Sequence, residues 1–185
     1  MSCSQGQTDR VNRGERHQDL EETRFWNELM GTPEPELRPV AESDRTFLES
    51  VYFETQRWII ERLFGWRGDD VEAEKFAEIY DEPHSSIIVL NGTDIGWLTV
   101  ACDEEGFDLE GIYLLPDYHG RGIGTRLIQQ LLDRSQKANI PVRLSTAKIN
   151  PARQLYERLG FQDVREDEFK VYMELLPDKT PRPAH

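Results

Sequence analysis

The sequence predicts an α/β domain of the α+β type, with a mixed, mainly antiparallel central sheet flanked by helices. Short apolar runs with strand character occur throughout residues 37–176, separated by longer segments whose apolar residues recur at helical spacing. The chain has 185 residues, which suits one hydrophobic core. We therefore expect one domain with helices on both faces of its sheet.

The predicted elements follow one another in a definite order. Ser43-Asp44 can cap a helix, and Asn91-Gly92 can form the tight turn of a hairpin because both residues tolerate positive φ. The predicted strands are residues 37–40, 86–90, 95–101, 107–115, 141–147, 161–165 and 169–175. The predicted helices are residues 43–64, 70–80, 126–138 and 150–159. The adjoining segments are predicted to be a polar N-terminal extension, residues 1–36, with one short helix at 19–30, and a C-terminal tail, residues 177–185.

Charge and composition restrict the function classes. The formal net charge is −13, which disfavours nonspecific binding to nucleic acid, a partner that requires Lys and Arg at its phosphates. No apolar run approaches the roughly 20 residues of a membrane span, and the N-terminus does not resemble a signal peptide. The two cysteines, Cys3 and Cys102, suit neither a disulfide framework nor a zinc site. A cytoplasmic protein without membrane attachment is expected, and its oligomeric state stays open, a homodimer included.

The most informative segment is residues 118–125, Tyr-His-Gly-Arg-Gly-Ile-Gly-Thr, between a predicted strand and a predicted helix. Alternating glycines let the backbone turn tightly, so successive N–H groups and the positive end of the helix can converge on a phosphate. The spacing differs from the dinucleotide fingerprint G-x-G-x-x-G, because Thr125 stands where its third glycine would be. The sequence therefore predicts an anion-binding loop of another kind.

A second segment makes the comparison specific. Residues 150–161 read Asn-Pro-Ala-Arg-Gln-Leu-Tyr-Glu-Arg-Leu-Gly-Phe, and residues 116–124 read Pro-Asp-Tyr-His-Gly-Arg-Gly-Ile-Gly. In this order and at this separation, the pair resembles the two signature motifs of the GNAT superfamily of acetyl-CoA-dependent N-acetyltransferases. The resemblance covers residues 37–176 and implies the GNAT acyl-CoA N-acyltransferase fold, with acetyl-CoA as cosubstrate, an amine acceptor and no metal.

The resemblance also implies roles for individual residues. In the family, the strands before and after the loop splay apart, and the pantetheine arm of acetyl-CoA lies between them. The resemblance implies that the backbone of Ile112, Tyr113 and Leu114 contacts pantetheine and the thioester carbonyl. It also implies that the pyrophosphate is bound by the N–H groups of His119, Gly120, Arg121, Gly122, Ile123, Gly124 and Thr125. Asn150 would contact the pantetheine amide or cap the following helix. His119 departs from the family, which usually has Gln or Arg there, so its imidazole either is a bystander or makes phosphate binding depend on pH.

Acetyl transfer to nitrogen needs a neutral amine and a proton for the departing thiolate. Asp108 and Glu110 are the candidate bases, because residues two apart on a strand project from one face; a water chain is the rival. Tyr156 matches the motif tyrosine whose hydroxyl in relatives points at the sulfur of coenzyme A, and it is the candidate acid. Its alternative role is packing of an amphipathic helix.

Three further alternatives remain at the level of sequence. Trp58 and Trp66 either line the acceptor pocket or fill the core. The protein could have kept the anion-binding loop as a catalytically silent acyl-CoA-binding or sensing module. A toxin-like acetyltransferase acting on aminoacyl-tRNA is disfavoured by the net charge of −13. The acceptor itself is not specified by the sequence.

Overall fold

The computed structural model describes residues 33–80 and 83–178. Two compact units, Met1–Glu34 and Pro35–His185, divide the chain, and every helix and strand given below lies in the second. The short helix predicted at residues 19–30 and most of the predicted C-terminal tail lie outside the described residues.

One seven-stranded sheet forms the centre of this unit, in the order β1-β2-β3-β4-β5-β7-β6. Only β4 and β5 pair in parallel among the strands described; the other neighbours pair antiparallel. The strands are β1 Glu36–Pro39, β2 Ser85–Leu90, β3 Thr93–Cys102, β4 Phe107–Leu114, β5 Val142–Ala147, β6 Gln162–Glu166 and β7 Lys170–Leu175. The predicted mixed, mainly antiparallel sheet is confirmed.

Helices pack on both faces of the sheet. They are α1 Arg45–Phe64, α2 Asp69–Ile79, α3 Ile123–Ala138 and α4 Ala152–Arg158, with short 3₁₀ turns at Glu42–Asp44 and Pro116–Tyr118. The helix predicted from residue 126 begins three residues earlier, so the end of the glycine-rich loop belongs to the first turn of α3. No helix in the described ranges is long and apolar enough to cross a membrane.

Each face of the sheet has its own hydrophobic cluster. On one face, the apolar stripe of α3 and Tyr156 of α4 pack on inward-facing residues of β2–β5 and β7; in α3 this stripe is Ile123, Leu127, Ile128 and Leu131. On the other face, α1 and α2 cover Ile87 and Trp97. Because side chains alternate along a strand, β2, β3 and β4 each contribute to both clusters.

The pairing of β4 changes near its middle. Thr99 of β3 pairs with Gly111 and Val100 pairs with Leu109, so Glu110 is the extra residue of a β-bulge. On the other edge of β4, pairing with β5 covers only residues 107–109, ending at Leu109 opposite Leu144. Since both strands continue for several residues, β4 and β5 diverge beyond the bulge, as the resemblance implied.

The first strand is tied to its neighbours by one arginine. The Arg38 guanidinium donates to Asp44 Oδ2 at 2.6 Å and Oδ1 at 3.0 Å, and it also donates to Asp94 at 2.5 and 3.2 Å. Asp44 in turn accepts from the Ala41 N–H at 2.9 Å. Arg38 therefore joins β1, the start of α1 and the start of β3 through charge-assisted hydrogen bonds.

Candidate active site

The glycine-rich loop requires its glycines for backbone conformation. Gly120 and Gly122 have φ of 71° and 76°, and no heavy atom lies within 4 Å of a Cβ built on either residue. Because there is space for a side chain at both positions, steric crowding does not explain the glycines. The left-handed backbone conformation does. Gly122 immediately precedes α3, whose first N–H groups have no partner inside the helix. The loop and the helix end thus present a row of backbone donors.

The loop lines a cavity of about 670 Å³, together with residues 112–114 of β4, which lie beyond its pairing with β5, and with α4. Ten of the eleven residues predicted to bind the cosubstrate line it: Ile112, Tyr113, Leu114, His119, Gly120, Gly122, Ile123, Gly124, Thr125 and Asn150. The exception is Arg121, whose Cζ lies 5.2 Å from the centroid of the Tyr118 ring. Tyr118 itself lines the cavity, so Arg121 contacts the wall from outside the lining.

Helix α1 supplies a wall that the sequence did not reveal. Thr55, Gln56, Trp58 and Ile59 line the same cavity, and Trp58 is 44% exposed. Their spacing places these residues along one turn of the helix, but nothing local indicates that this turn faces the loop 60 residues later. Of the two alternatives that the sequence left for Trp58, an acceptor pocket or the core, the structure shows it 44% exposed in the wall of this cavity.

Two further tryptophans among the described residues, Trp66 and Trp97, have structural contacts. Trp66 packs edge-on against Phe53 at a centroid distance of 5.6 Å and donates to Asp69 at 2.9 Å. Trp97 is 2% exposed and stacks on Tyr113 at 4.4 Å. Neither residue lines the cavity; Trp66 packs at the edge of the core, and Trp97 lies within it.

The His119 side chain is anchored to the end of β4. Its Nε2 lies 2.7 Å from the carbonyl oxygen of Leu114. A carbonyl only accepts, so Nε2 carries the proton, and both the imidazolium and one neutral tautomer can supply it. This bond holds the loop against the strand in either protonation state.

Asn150 caps helix α4. Its Oδ1 accepts a hydrogen bond from the Ala152 N–H at 3.0 Å, while Asn150 also lines the cavity. Arg153, by contrast, pairs with Glu157 at 3.0 Å and Asp163 at 2.6 Å, on the outer side of the helix. One helix turn therefore separates a cavity residue from a surface ion-pair network.

Tyr156 projects from α4 toward the divergence of the strands. The side chain is 7% exposed, lines the cavity, and packs edge-on against Phe161 at 5.9 Å. Its hydroxyl has no hydrogen-bond partner among the residues the structure describes. Burial raises the pKa of Tyr156 to about 12, because the anion would be poorly solvated. The phenol is thus a neutral donor at physiological pH.

A second cavity, of about 450 Å³, begins where the first one ends along β4. Asp108 and Glu110 both line it, with Arg143 and Ser145 of β5. Neither carboxylate forms an ion pair or hydrogen bond with another described residue, whereas Arg143 pairs with Glu174 at 3.2 Å. The two predicted bases therefore share one cavity, and Glu110 stands at the bulge between this cavity and the first.

Tyr113 lines the first cavity, and its side chain was not part of the prediction. The ring lies against Gly111. Burial is the main reason that the pKa of Tyr113 is raised well above its ordinary value. A glycine inside a strand often marks a bulge or a close approach, and Gly111 is the signal that could have indicated this arrangement.

A family model recognises the part of the chain that holds the site. Residues 83–163 match the acetyltransferase (GNAT) domain. This stretch includes β4, the glycine-rich loop, α3, β5 and α4. No curated protein sequence matches the chain.

Solved structures share the fold. The PaiA N-acetyltransferase from Thermoplasma acidophilum, solved in complex with coenzyme A, aligns with a TM-score of 0.63 at 20% identity, covering 77% of this chain and 99% of its own. The ribosomal-protein-S18-alanine N-acetyltransferase from Escherichia coli aligns at 0.58 and 19%, covering 82% and 99%. An acetyltransferase from Thermus thermophilus aligns at 0.61 and 15%, covering 77% and 97%. At these identities the likeness establishes the fold.

Proposed function

We propose that this chain, in which residues 83–163 match an acetyltransferase (GNAT) domain, is an acyltransferase that transfers an acetyl group from acetyl-CoA to a primary amine. The amine attacks directly within a ternary complex. One observation carries this proposal: β4 and β5 diverge beyond Leu109, and the gap opens onto a cavity ringed by the N–H groups of the glycine-rich loop.

The residues of this cavity suit acetyl-CoA chemically. A diphosphate accepts hydrogen bonds from the loop and from the first turn of α3, where the helix dipole also favours negative charge. The edge of β4 at residues 112–114 has no strand partner on the β5 side in the described pairing, so an extended amide chain can add to it. The left-handed Gly120 and Gly122 keep side chains out of the cradle.

On the acceptor side, Glu110 and Asp108 are proposed to prepare the nucleophile. An alkylamine has a pKa of about 10.4 and enters mostly as the ammonium ion, which must lose a proton before attack. Glu110 stands at the bulge and is exposed to the second cavity, so it can take that proton directly or through water. Asp108, two residues before Glu110 on β4, adds negative charge that attracts the ammonium.

On the thioester side, Tyr156 is proposed as the acid. The amine nitrogen forms a bond to the acetyl carbon, the carbon–sulfur bond breaks, and the thiolate takes the phenolic proton of Tyr156. Glu110 holds the first proton lost by the ammonium and releases it to solvent; the nitrogen loses its second proton to water as the amide forms, and Tyr156 regains its proton from water. The raised pKa of Tyr156 supports this assignment because the phenol stays protonated between turnovers.

Thiol release and calorimetry test the proposal together. Purified full-length protein is mixed with acetyl-CoA and a library of amines, and both free thiol and acetylated product are measured. We expect acetyl-CoA to bind and amine-dependent thiol release to follow. Glu110→Gln should lower turnover at least tenfold, whereas Asp133→Asn, an exposed carboxylate on α3, should not.

Two outcomes would contradict the proposal in different ways. Absence of any binding heat with acetyl-CoA would contradict the assignment of acetyl-CoA as the cosubstrate. Tight acetyl-CoA binding without transfer to any amine would instead identify a catalytically silent acyl-CoA-binding module.

A further inference from the structure

The second cavity lies on one face of the sheet, over β4, β5, β7 and β6. In β5, Arg143 and Ser145 alternate with Val142 and Leu144, which are buried under α3 and α4. The side chains that line the cavity therefore project from the opposite face. They form two rows across the strands, because Asp108 is in register with Arg143 and Arg143 with Glu174, while Ser145 is in register with Tyr172 and Tyr172 with Arg165.

Charges in the middle of the cavity are already paired. Arg143 donates to Glu174 at 3.2 Å and to the Glu105 carbonyl at 3.0 Å. The charged groups of the cavity that have no ion-pair partner among the described residues are the carboxylates of Asp108 and Glu110 at the β4 end and the guanidinium of Arg165 at the β6 end. The cavity is thus acidic at one end and basic at the other.

Arg165 is held in place by an aromatic ring. Its Cζ lies 3.7 Å from the centroid of Tyr172, within the range of a cation–π contact. The Tyr172 hydroxyl donates to Asp167 at 2.9 Å, and Asp167 also accepts the backbone N–H groups of Phe169 and Lys170. The β6–β7 turn therefore fixes the ring, and the ring fixes the plane of the guanidinium.

The hydrogen-bonding capacity of Arg165 is unused. Asp167 interacts electrostatically with Arg165, but its oxygens are engaged by three other donors. Arg165 forms no hydrogen bond or ion pair with any residue in the described part of the chain. A planar guanidinium with five free N–H donors, held at the rim of a cavity, is suited to bind a carboxylate in a bidentate manner.

We propose that the acceptor is an amine carrying a carboxylate several bonds from its nitrogen. Its amine end lies between Glu110 and the thioester, which rests on the proposed function, and its carboxylate binds Arg165. Three interstrand spacings separate β4 from β6, a distance of about 14 Å. Because Glu110 and Arg165 each extend into that distance, the remaining gap suits a linear amino acid of about six carbon atoms.

The arrangement discriminates between acceptors by charge. A diamine would place its second ammonium against Arg165, and like charges repel. An alkylamine with an uncharged tail would leave the donors of Arg165 to water and gain nothing from them. Only the amino acid satisfies both ends of the cavity.

Three probes of similar length test this preference for an amino acid: 6-aminohexanoate, hexylamine and 1,6-diaminohexane. Their binding to the full chain is measured by calorimetry, with and without saturating coenzyme A, so that no transfer is required. We expect 6-aminohexanoate to bind at least tenfold more tightly than the other two. Equal or tighter binding of either competitor would overturn the proposal.

Variants of Arg165 separate recognition from folding. Arg165→Gln should lower the affinity for 6-aminohexanoate about tenfold and leave that for hexylamine unchanged, while Arg165→Lys should retain part of the preference. The matched control is Arg134→Gln. Arg134 also makes a cation–π contact, with its Cζ 5.2 Å from the centroid of the Phe107 ring, but it does not line this cavity. If Arg165→Gln binds 6-aminohexanoate as tightly as wild type, the assignment of the carboxylate is wrong.

The same data distinguish this inference from the proposed function. Arg165-dependent binding of 6-aminohexanoate without any acetylation would refute the transfer and keep the recognition. Acetylation with a preference for hexylamine or the diamine would keep the transfer and refute the recognition.

Discussion

The ring of Tyr113 lies directly against Gly111, two residues earlier on β4. A Cβ added to Gly111 would be 2.3 Å from Cε2 of Tyr113 and 2.7 Å from its hydroxyl oxygen. On its other side the ring stacks on Trp97 at 4.4 Å, which leaves it little room to move away. The absence of a side chain at Gly111 therefore determines where the phenol of Tyr113 lies in the wall of the first cavity.

The substitution Gly111→Ala should destabilise the protein by about 1–3 kcal/mol, because the methyl group overlaps a ring confined by Trp97. Urea unfolding measures the loss. In a Tyr113→Ala background the same substitution should cost much less, since the collision no longer exists. Gly124→Ala is the control, because its Cβ would meet neighbours only at 3.8 Å and beyond. Additive costs in the double variant would show that the ring is not the cause.

Tyr156→Phe should reduce turnover at least tenfold while acetyl-CoA affinity stays nearly constant. The ring, and with it the contact to Phe161, is preserved, so only the donated proton is lost. Thiol release gives the rate and calorimetry gives the affinity. Unchanged turnover would remove Tyr156 as the acid.

Stability at alkaline pH should also depend on Tyr156. Its pKa is about 12 in the folded protein and about 10 in the unfolded chain, so the folded state holds the proton more tightly. The stabilisation is complete below pH 10 and is lost as the pH rises from 10 toward 12. Denaturant titrations across this range should show a steeper loss for wild type than for Tyr156→Phe. Parallel curves would contradict the raised pKa.

Gly122→Asp should abolish acetyl-CoA binding. The side chain would bring strain at a φ of 76° and a negative charge into an anion cradle. Gly92→Asp provides a matched comparison, because Gly92 has φ of 75° and equally open surroundings in the β2–β3 turn. Calorimetry should find normal affinity in Gly92→Asp. Equal loss in both variants would point to misfolding instead of charge.

Asp44→Asn should destabilise the β1–α1 junction by about 1 kcal/mol, since one partner of Arg38 loses its charge. The hydrogen bonds from Arg38, and secondarily from the Ala41 N–H, lower the pKa of Asp44. The wild-type advantage is therefore present above about pH 4 and fades as the pH falls through the lowered pKa. Unfolding measured at pH 7 and pH 3 should show a larger difference between wild type and variant at the higher pH.

Features that depend on neighbouring residues could be predicted from the sequence. Asn91-Gly92 indicated a hairpin turn, the apolar stripe of α3 indicated a helix, and the spacing of Gly120 and Gly122 indicated a tight backbone turn before that helix. Each of these follows from backbone conformations or side-chain periodicities that a short window of sequence contains. The order of strands and helices could be predicted for the same reason.

Features that depend on pairing between separate segments are visible only in the folded chain. The bulge at Glu110 is a property of two strands in register. The wall contributed by Thr55 and Trp58 depends on how α1 lies across the sheet, and Arg165 meets Asp108 and Glu110 in one cavity because β7 inserts between β5 and β6. No local pattern encodes these contacts, since strand register and the packing of segments more than 50 residues apart are set by the fold as a whole.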